Sequence, residues 1–219
     1  MNFQWKRLND TEIEITGVRG KLDTSLAVPE KIEGLTVVSI GKNALCRCDG
    51  VEVIDLPSTL KNIGERAFAD STSLKSIKIP PLVKVISGRA FAKCKALERV
   101  ELHDDVTKIQ GSAFYGCHSL KEIKLPEKLE ELGLFAFMDC ISLKSIEIPE
   151  KIYGIDYQTF FGCHSLERIY PKGELEYIDD YAFGDCPKIN LDNLPDTVKI
   201  TPLALEDYEE DIFMDEIDD

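Results

Sequence analysis

A period of 23 residues limits what this chain can fold into more than any other feature of its sequence. Seven segments of fourteen residues begin at that interval without a slip, the first at 44–57 and the last at 182–195. Most begin with alanine and phenylalanine, carry a cysteine three positions after the phenylalanine, and end in proline. One unit of this length cannot bury its own apolar side chains. The repeat therefore predicts a solenoid, in which stacked coils share a continuous core.

Each repeat divides into three pieces. In the segment at 67–80, Ile77 and Ile79 alternate with Lys78 at the two-residue period of a strand. Pro80 then forces a corner, because proline cannot donate to a strand ladder. A second short extended piece follows. The next piece places phenylalanine and cysteine one helical turn apart, which predicts a short helical turn with both side chains in the core.

These residues resemble the BspA-like, or treponemal-type, leucine-rich repeat family, whose pattern reads roughly LxxIxLPxxLxxIGxxAFxxC. The resemblance implies a curved solenoid used for binding, often on bacterial or protist cell surfaces, and it implies no catalytic residues. We therefore expect a leucine-rich repeat solenoid, α+β or mostly β. It should be a right-handed coil of about seven 23-residue repeats, with a parallel β-sheet and short helical turns on the opposite side.

Both ends of a solenoid need a polar cap. We predict an N-terminal β cap at residues 1–28, the repeat solenoid at 29–200 and an acidic C-terminal cap or tail at 201–219. A turn signal at Asn9-Asp10 predicts that the first region is a hairpin. The residues expected to cover the first coil are Phe3, Trp5, Ile13 and Ile15.

The C-terminal region begins with a helix signal. Thr201 and Pro202 are an N-cap followed by proline in the first turn, and Leu205, Tyr208 and Ile212 then share one helical face. This pattern predicts a capping helix with a frayed acidic end. Two alternatives remain: an acidic and aromatic peptide for a partner's basic groove, or disorder without a role.

The charge of the chain argues against several classes of partner. There are 40 acidic and 26 basic residues, and nine of the carboxylates lie in 206–219, which has no lysine or arginine. Neither part offers the basic surface that nucleic acid or an anionic membrane attracts. No apolar run approaches the roughly 18–20 residues of a membrane helix, and the first residues lack the apolar stretch of a signal peptide. As written, the sequence predicts a cytoplasmic protein without membrane insertion. If it belongs to a longer chain, the cell surface or secretion is the alternative.

Six of the seven cysteines share one repeat position. Stacked coils place them in a row with steps of about 4.8 Å, which brings at most two thiolates to one ion, whereas a tetrahedral zinc site needs four. Disulfides between neighbours are geometrically allowed. However, Ser71 occupies the same position without breaking the pattern, so a small buried group is what the position needs. We expect no metal or cofactor and a structural row of reduced cysteines: Cys48, Cys94, Cys117, Cys140, Cys163 and Cys186.

Histidine follows the cysteine in two repeats, at Cys117–His118 and Cys163–His164. A catalytic pair needs the two side chains within hydrogen-bonding distance. Adjacent residues in a short turn point in different directions, so we expect the cysteine inside and the histidine outside. No repeat supplies a base with an orienting third group, and the chain is not expected to be an enzyme. The enzyme alternative predicts one hyper-reactive thiol.

The outward position of the strand alternates in charge from coil to coil, as in Asp55, Lys78, Glu101 and Lys124. Opposite charges on neighbouring strands contribute about 0.2–1 kcal/mol per pair. One interpretation is a self-neutralising face that resists association. The other is a binding face where the alternation ends, since tyrosine and arginine are typical of interface hot spots. The candidate partner-binding residues are Tyr153, Tyr157, Arg168, Tyr170 and Tyr177.

The sequence therefore predicts a non-catalytic protein–protein interaction module, expected to be a monomer. Its partner would be a protein of unknown identity, bound through the sheet face or the C-terminal coils. The alternative is a cell-surface adhesin-type repeat domain that binds host or neighbouring-cell protein. Fractionation of native cells separates the two.

Overall fold

A computed structural model describes residues 2–207, and these contain seventeen β-strands. The strands are β1 (Asn2–Arg7), β2 (Glu12–Arg19), β3 (Ser25–Ala27), β4 (Lys31–Ile32), β5 (Leu35–Ile40), β6 (Val53–Asp55), β7 (Asn62–Ile63), β8 (Ser76–Lys78), β9 (Val85–Ile86), β10 (Arg99–Glu101), β11 (Lys108–Ile109), β12 (Glu131–Leu132), β13 (Ser145–Ile148), β14 (Gly154–Ile155), β15 (Arg168–Pro171), β16 (Tyr177–Ile178) and β17 (Lys199–Ile200).

Most of these strands belong to two parallel ladders. The first ladder, which precedes the corner of each coil, consists of β3, β6, β8 and β10 and, after a break in the strand pairing, of β13 and β15. The second ladder, which follows the corner, consists of three paired groups: β5 and β7, then β9, β11 and β12, then β14, β16 and β17. Partners such as Ile86 and Ile109 lie 23 residues apart, so each repeat position forms a column along the solenoid. The second ladder has eight strands, so the solenoid makes about eight turns, one more than predicted.

The first two strands form an antiparallel hairpin, and β2 continues in parallel pairing with β5. Asn9 closes the turn by accepting two backbone N–H groups through Oδ1, both at 2.9 Å. Ile13 and Ile15 are fully buried, while Phe3 and Trp5 are half-buried against the same core. The alternation of apolar and polar residues in β2 thus directs its isoleucines onto the first coil.

The segments that begin with alanine and phenylalanine are successions of turns, and the prediction of helical turns is wrong. In each coil the residue just before the segment and the fourth residue of the segment have a left-handed backbone, as at Arg66 and Asp70, with φ of 54° and 59°. Backbone donors also alternate in direction. The N–H of Ala67 bonds three residues back in its own coil, whereas that of Phe68 bonds the carbonyl of Ala90 in the next coil at 2.9 Å. A helix needs successive donors to bond within one segment, so none forms among residues 2–207.

The capping helix predicted from Thr201 is likewise not formed in the part of the chain that the structure describes. From Thr201 to the last described residue the chain makes turns. The N–H of Tyr181 donates to the carbonyl of Leu203 at 2.9 Å, so this stretch extends the turn column of the preceding coil. Tyr208 and Ile212 of the predicted helix lie outside the described residues.

A stack of phenylalanine rings forms the centre of the core. The rings are close to parallel, and neighbouring centroids lie 5.2–5.6 Å apart. Burial of each side chain of this size contributes about 1.5–3 kcal/mol, and columns of leucine and isoleucine surround the stack. The fully buried rings are Phe68, Phe91, Phe114, Phe137, Phe160 and Phe183.

Candidate functional site

The structure places the five candidate partner-binding residues on three segments of the coil. Arg168 and Tyr170 project from β15 of the first ladder, where Tyr170 is 47% exposed. Tyr153 adjoins β14 and Tyr177 begins β16 of the second ladder, and they are 54% and 39% exposed. Tyr157 is half-buried in the turn that follows. Tyr153 and Tyr177 are therefore neighbours, and the corner of the coil separates both from Arg168 and Tyr170.

Tyr177 is held in place by two neighbouring residues of the preceding coil. Its ring lies over Gly154, where an added Cβ would stand 2.0 Å from the ring Cζ. Its hydroxyl donates to Oδ1 of Asp156 at 2.7 Å. This hydrogen bond, together with partial burial and nearby carboxylates, raises the pKa of Tyr177 to about 12. The four preceding coils carry asparagine, valine, lysine and glutamate at the position of Gly154. The absence of a side chain at Gly154 therefore allows the ring of Tyr177 to pack against the sheet.

A second aromatic group, which the sequence analysis missed, lies in the turns beside the second ladder. Tyr157 packs edge-to-face against Phe135 and Tyr181, with ring centroids 5.6 Å and 5.8 Å apart. Leu134 adjoins the group and is 44% exposed. The sequence contained a signal for it. In an early coil, the two positions before the repeat alanine are charged, with glutamate and arginine at 65–66. From residue 134 onward, at least one of these two positions in each coil holds a large apolar or aromatic residue.

We call the outer surface of the second ladder, with the corner residues that precede it, the second face. Ion pairs cover this face in the first coils. Each is exposed and contributes little to stability, but together they neutralise the surface. Beyond Lys151, no ion pair up to residue 207 joins two residues of this face. The corner residue Lys172 is paired, but with Glu147 of the first ladder. The pairs are Lys61–Glu12, Lys84–Asp105, Lys128–Asp105, Lys108–Glu131 and Lys151–Glu130.

The second face becomes acidic where its ion pairs end. Residues 151–207 include 11 acidic and 5 basic residues, against 22 and 21 in residues 1–150. Glu176 is exposed, and Asp156 and Asp179 are half-buried at the ends of their strands. Lys199 pairs with Tyr177 in the register of the next strand, and its N–H bonds the carbonyl of Glu176 at 2.9 Å. None of these carboxylates forms an ion pair with a residue between 2 and 207.

A cleft at the corner connects the first ladder to the second face. It has a volume of about 770 Å³. Tyr170 lines it on one side, and Glu174, Glu176 and Lys199 line it on the other. Tyr170 is thus remote from Tyr177 along the coil but borders the same acidic surface across the cleft.

The alternating charges of the first ladder form ion pairs at several positions. Lys75 lies 2.8 Å from Glu52, and Lys78 lies 3.9 Å from Glu101. The pairing of Glu147 differs from the predicted pattern, because its lysine partner, 2.8 Å away, comes from the corner of the next coil at position 172. Opposite charges in neighbouring coils therefore do meet on this face, at exposed sites of small energetic effect.

The six repeat cysteines are buried, and all seven cysteines of the chain are free. Five of the repeat thiols donate to a phenylalanine carbonyl of the preceding coil, at 3.1–3.3 Å. Ser71 makes the equivalent bond to the carbonyl of Leu45 at 3.2 Å. The position thus holds a small side chain that can donate a hydrogen bond, which explains how serine replaces cysteine there. Burial raises the pKa of Cys94 and Cys186 to about 12.

The cysteine and histidine of each Cys–His dipeptide face different surroundings. The thiol of Cys163 donates to the carbonyl of Phe137 at 3.2 Å, whereas the ring of His164 pairs with Asp185 at 2.8 Å. Burial raises the pKa of Cys163 and Cys117 well above the usual thiol value. An activated nucleophile needs the opposite shift. Among the described residues, no three His, Cys, Asp or Glu side chains are grouped so that they could hold a metal ion.

Comparison with known families identifies the repeat. The model of the BspA type leucine rich repeat region matches in six copies, over residues 38–133 and 84–208. The chain belongs to this family. Repeat proteins of this kind generally serve protein interaction or surface roles, and their solenoids are typically non-catalytic. No curated protein matches the chain by sequence. Between residues 2 and 207 no helix could span a membrane.

Solved structures share the fold. A leucine-rich repeat protein from Bacteroides ovatus is 28% identical with a TM-score of 0.76, and the match covers 90% of this chain and 58% of that one. The T. pallidum leucine-rich repeat protein is 24% identical with a TM-score of 0.59, covering 86% and 88%. A protein from Eubacterium ventriosum is 20% identical with a TM-score of 0.59, covering 84% and 58%. The chain thus spans just over half the length of the Bacteroides ovatus relative.

Proposed function

We propose that the protein is a non-catalytic interaction module that binds a partner protein on its C-terminal coils. The observation that carries this proposal is the change in the second face at Lys151. Before it several outward side chains form ion pairs with one another. After it the face carries Tyr153, Tyr177 and carboxylates that form no ion pair with a residue between 2 and 207.

Two physical properties support this surface as a binding site. Tyr153 and Tyr177 expose aromatic area at low conformational cost, and tyrosine is enriched among the residues that dominate interface energies. Tyr177 is also preorganised by Gly154 and Asp156, so little side-chain freedom is lost on binding. The paired charges of the earlier coils gain less from a partner, since contact there displaces ion pairs that already exist.

The test is a comparison of two double variants. The full chain carrying a photo-crosslinker on its second face would be used to identify the bound protein in extracts of the source cells. Retention of that protein is then measured for Tyr153→Ala/Tyr177→Ala and for Lys84→Ala/Lys108→Ala, which changes the equivalent columns in earlier coils. We expect the tyrosine variant to weaken binding about tenfold or more, and the lysine variant to leave it near wild type.

A third variant, Arg168→Ala/Tyr170→Ala, tests whether the cleft belongs to the same site. If both this variant and the tyrosine variant lose binding, the binding site includes residues on both sides of the corner. Equal retention in the tyrosine and lysine variants would contradict the proposal that the C-terminal part of the second face binds the partner.

A further inference from the structure

We propose that the partner segment received by the second face is basic, a stretch of a protein that carries several arginines or lysines. This inference rests on the proposed function and adds the chemistry of the partner. It follows from three features of the surface: its charge, the fixed position of Tyr177 and the chain's own acidic end.

Charge is the first feature. Glu174, Glu176, Asp156 and Asp179 lie on the same coils as the two exposed tyrosines, and Lys199 pairs with Tyr177 in the next strand. None of the four carboxylates forms an ion pair with a residue between 2 and 207, so the carboxylates outnumber this lysine. The same face in earlier coils supplies its own lysines, which bond Asp105, Glu130 and Glu131. Complementary charge steers association and excludes partners of like sign. A cationic segment would pair with the carboxylates of this face that form no ion pair between residues 2 and 207.

The geometry of Tyr177 is the second feature. One side of its ring packs against Gly154, and its phenolic O–H donates a hydrogen bond to Oδ1 of Asp156. Tyr177 is nevertheless 39% exposed. Among residues 2–207, no donor other than the Tyr177 hydroxyl bonds the carboxylate of Asp156. A guanidinium can stack on a tyrosine ring while it donates to an adjacent carboxylate. Tyr153 sits one strand away, beside Glu176, whose N–H bonds the carbonyl of Tyr153 at 2.6 Å. A second exposed tyrosine and a second carboxylate therefore lie side by side in adjacent strands.

The acidic end of the chain is the third feature, because it argues against two other occupants. Residues 208–219 carry seven carboxylates and no lysine or arginine, so they repel the second face. A second copy of the chain, with a net charge of −14, would bring the same excess of negative charge. A positively charged partner would be attracted to this face, whereas the chain's own end and a second copy of the chain would be repelled by it.

The experiment uses a fluorescein-labelled peptide of alternating arginine and serine, and measures its binding to the full chain by fluorescence anisotropy. The same peptide with glutamate in place of arginine is the control for charge. All proteins carry glutamine or asparagine at the seven acidic positions of 208–219, so that non-specific attraction to the end of the chain does not contribute. We expect the arginine peptide to bind, and its affinity to fall as salt is raised.

The deciding comparison is between two variants that each remove two negative charges. Glu176→Gln/Asp179→Asn is expected to weaken arginine-peptide binding about five- to tenfold, whereas Glu130→Gln/Glu131→Gln, whose carboxylates are already paired with lysines, should change it less than about twofold. Equal losses in the two variants, or no binding of the arginine peptide, would overturn the inference. In that case a loss of partner retention in the Tyr153/Tyr177 variant leaves the proposed function standing, and unchanged retention removes both.

Discussion

The repeat cysteine shows how one position can serve packing and hydrogen bonding together. Each thiol from Cys94 onward fills a small space beside the phenylalanine stack and donates to a carbonyl of the coil before it. Ser71 satisfies the same geometry with a hydroxyl. Burial raises the pKa of Cys48 to about 11 and that of Cys94 to about 12. These thiols therefore stay protonated and inaccessible in the folded protein.

We predict that a thiol reagent such as Ellman's reagent reacts quickly with one of the seven cysteines of the native protein at pH 8. Cys46 is half-buried outside the row, while the other six are buried. All seven should react at once after unfolding in guanidinium. A fast reaction of two or more thiols in the native protein, or of one that persists in Cys46→Ala, would contradict the buried row.

The same thiols should make the protein sensitive to alkaline pH. An unfolded thiol has a pKa of about 8.5, and the folded value of Cys94 is raised to about 12. Their contribution to the free energy of unfolding is therefore complete below about pH 8.5 and is lost as the pH rises towards the folded pKa. We expect the urea midpoint to fall between pH 7.5 and pH 10. The fall should be smaller in Cys94→Ser, which keeps the donor without the titration.

At the scale of the structural element, the close approach of loops in neighbouring coils limits which side chains a loop can hold. At the end of β7, an alanine Cβ at Gly64 would stand 2.7 Å from the backbone of Gly41 and Lys42. At Gly88, in the next coil, the nearest atom to an added Cβ is the carbonyl oxygen of Gly111 at 3.5 Å. Two glycines in corresponding loops of neighbouring coils thus differ: backbone atoms block a Cβ at Gly64, whereas a Cβ at Gly88 meets an ordinary contact.

We predict that Gly64→Ala lowers the free energy of unfolding by about 1–3 kcal/mol, because backbone atoms must move to admit the methyl group. Gly88→Ala should stay within about 1 kcal/mol of the wild type, since the methyl group meets ordinary contacts and the unfolded chain loses freedom. Urea denaturation followed by circular dichroism measures both. Equal destabilisation by the two substitutions would show that the close approach at Gly64 is not a constraint.

At the scale of the whole molecule, the solenoid is held together by contacts between neighbouring coils. Phe114 stacks between Phe91 and Phe137, with centroid distances of 5.5 Å and 5.3 Å. Phe183, near the end of the described chain, stacks on Phe160 at 5.5 Å. In such a linear array each interior coil supports two neighbours, so a defect in the middle divides the core.

We predict that Phe114→Ala lowers the free energy of unfolding by about 3–5 kcal/mol, because it empties a fully buried site with packed rings on both sides. Phe183→Ala should cost less and should affect mainly the last coil. Hydrogen exchange of the backbone amides distinguishes the two variants. Protection should fall on both sides of residue 114 in the first variant and only after about residue 160 in the second. A uniform loss of protection in both variants would mean that the array unfolds as one unit.

The sequence by itself determined the solenoid, its family and most of its core. A buried column must hold an apolar or small side chain in every coil, so the 23-residue period identified the stacked phenylalanines, the cysteine row and the strands of the first ladder. The same reasoning found the exposed tyrosines after residue 150, because a change of residue type in an outward column is visible in the sequence. It could not tell which of these tyrosines are neighbours.

Tertiary structure alone decided three matters. The phenylalanine–cysteine segments are turns because alternate N–H groups bond the next coil, and a one-dimensional pattern does not show where a backbone donor points. Tyr177 gained its fixed position from Gly154 and Asp156, which lie 23 and 21 residues before it and meet it only when the coils stack. The end of the ion pairs at Lys151 depends likewise on distances between columns. Burial is a property of each position, whereas the site depends on how positions in different coils come together.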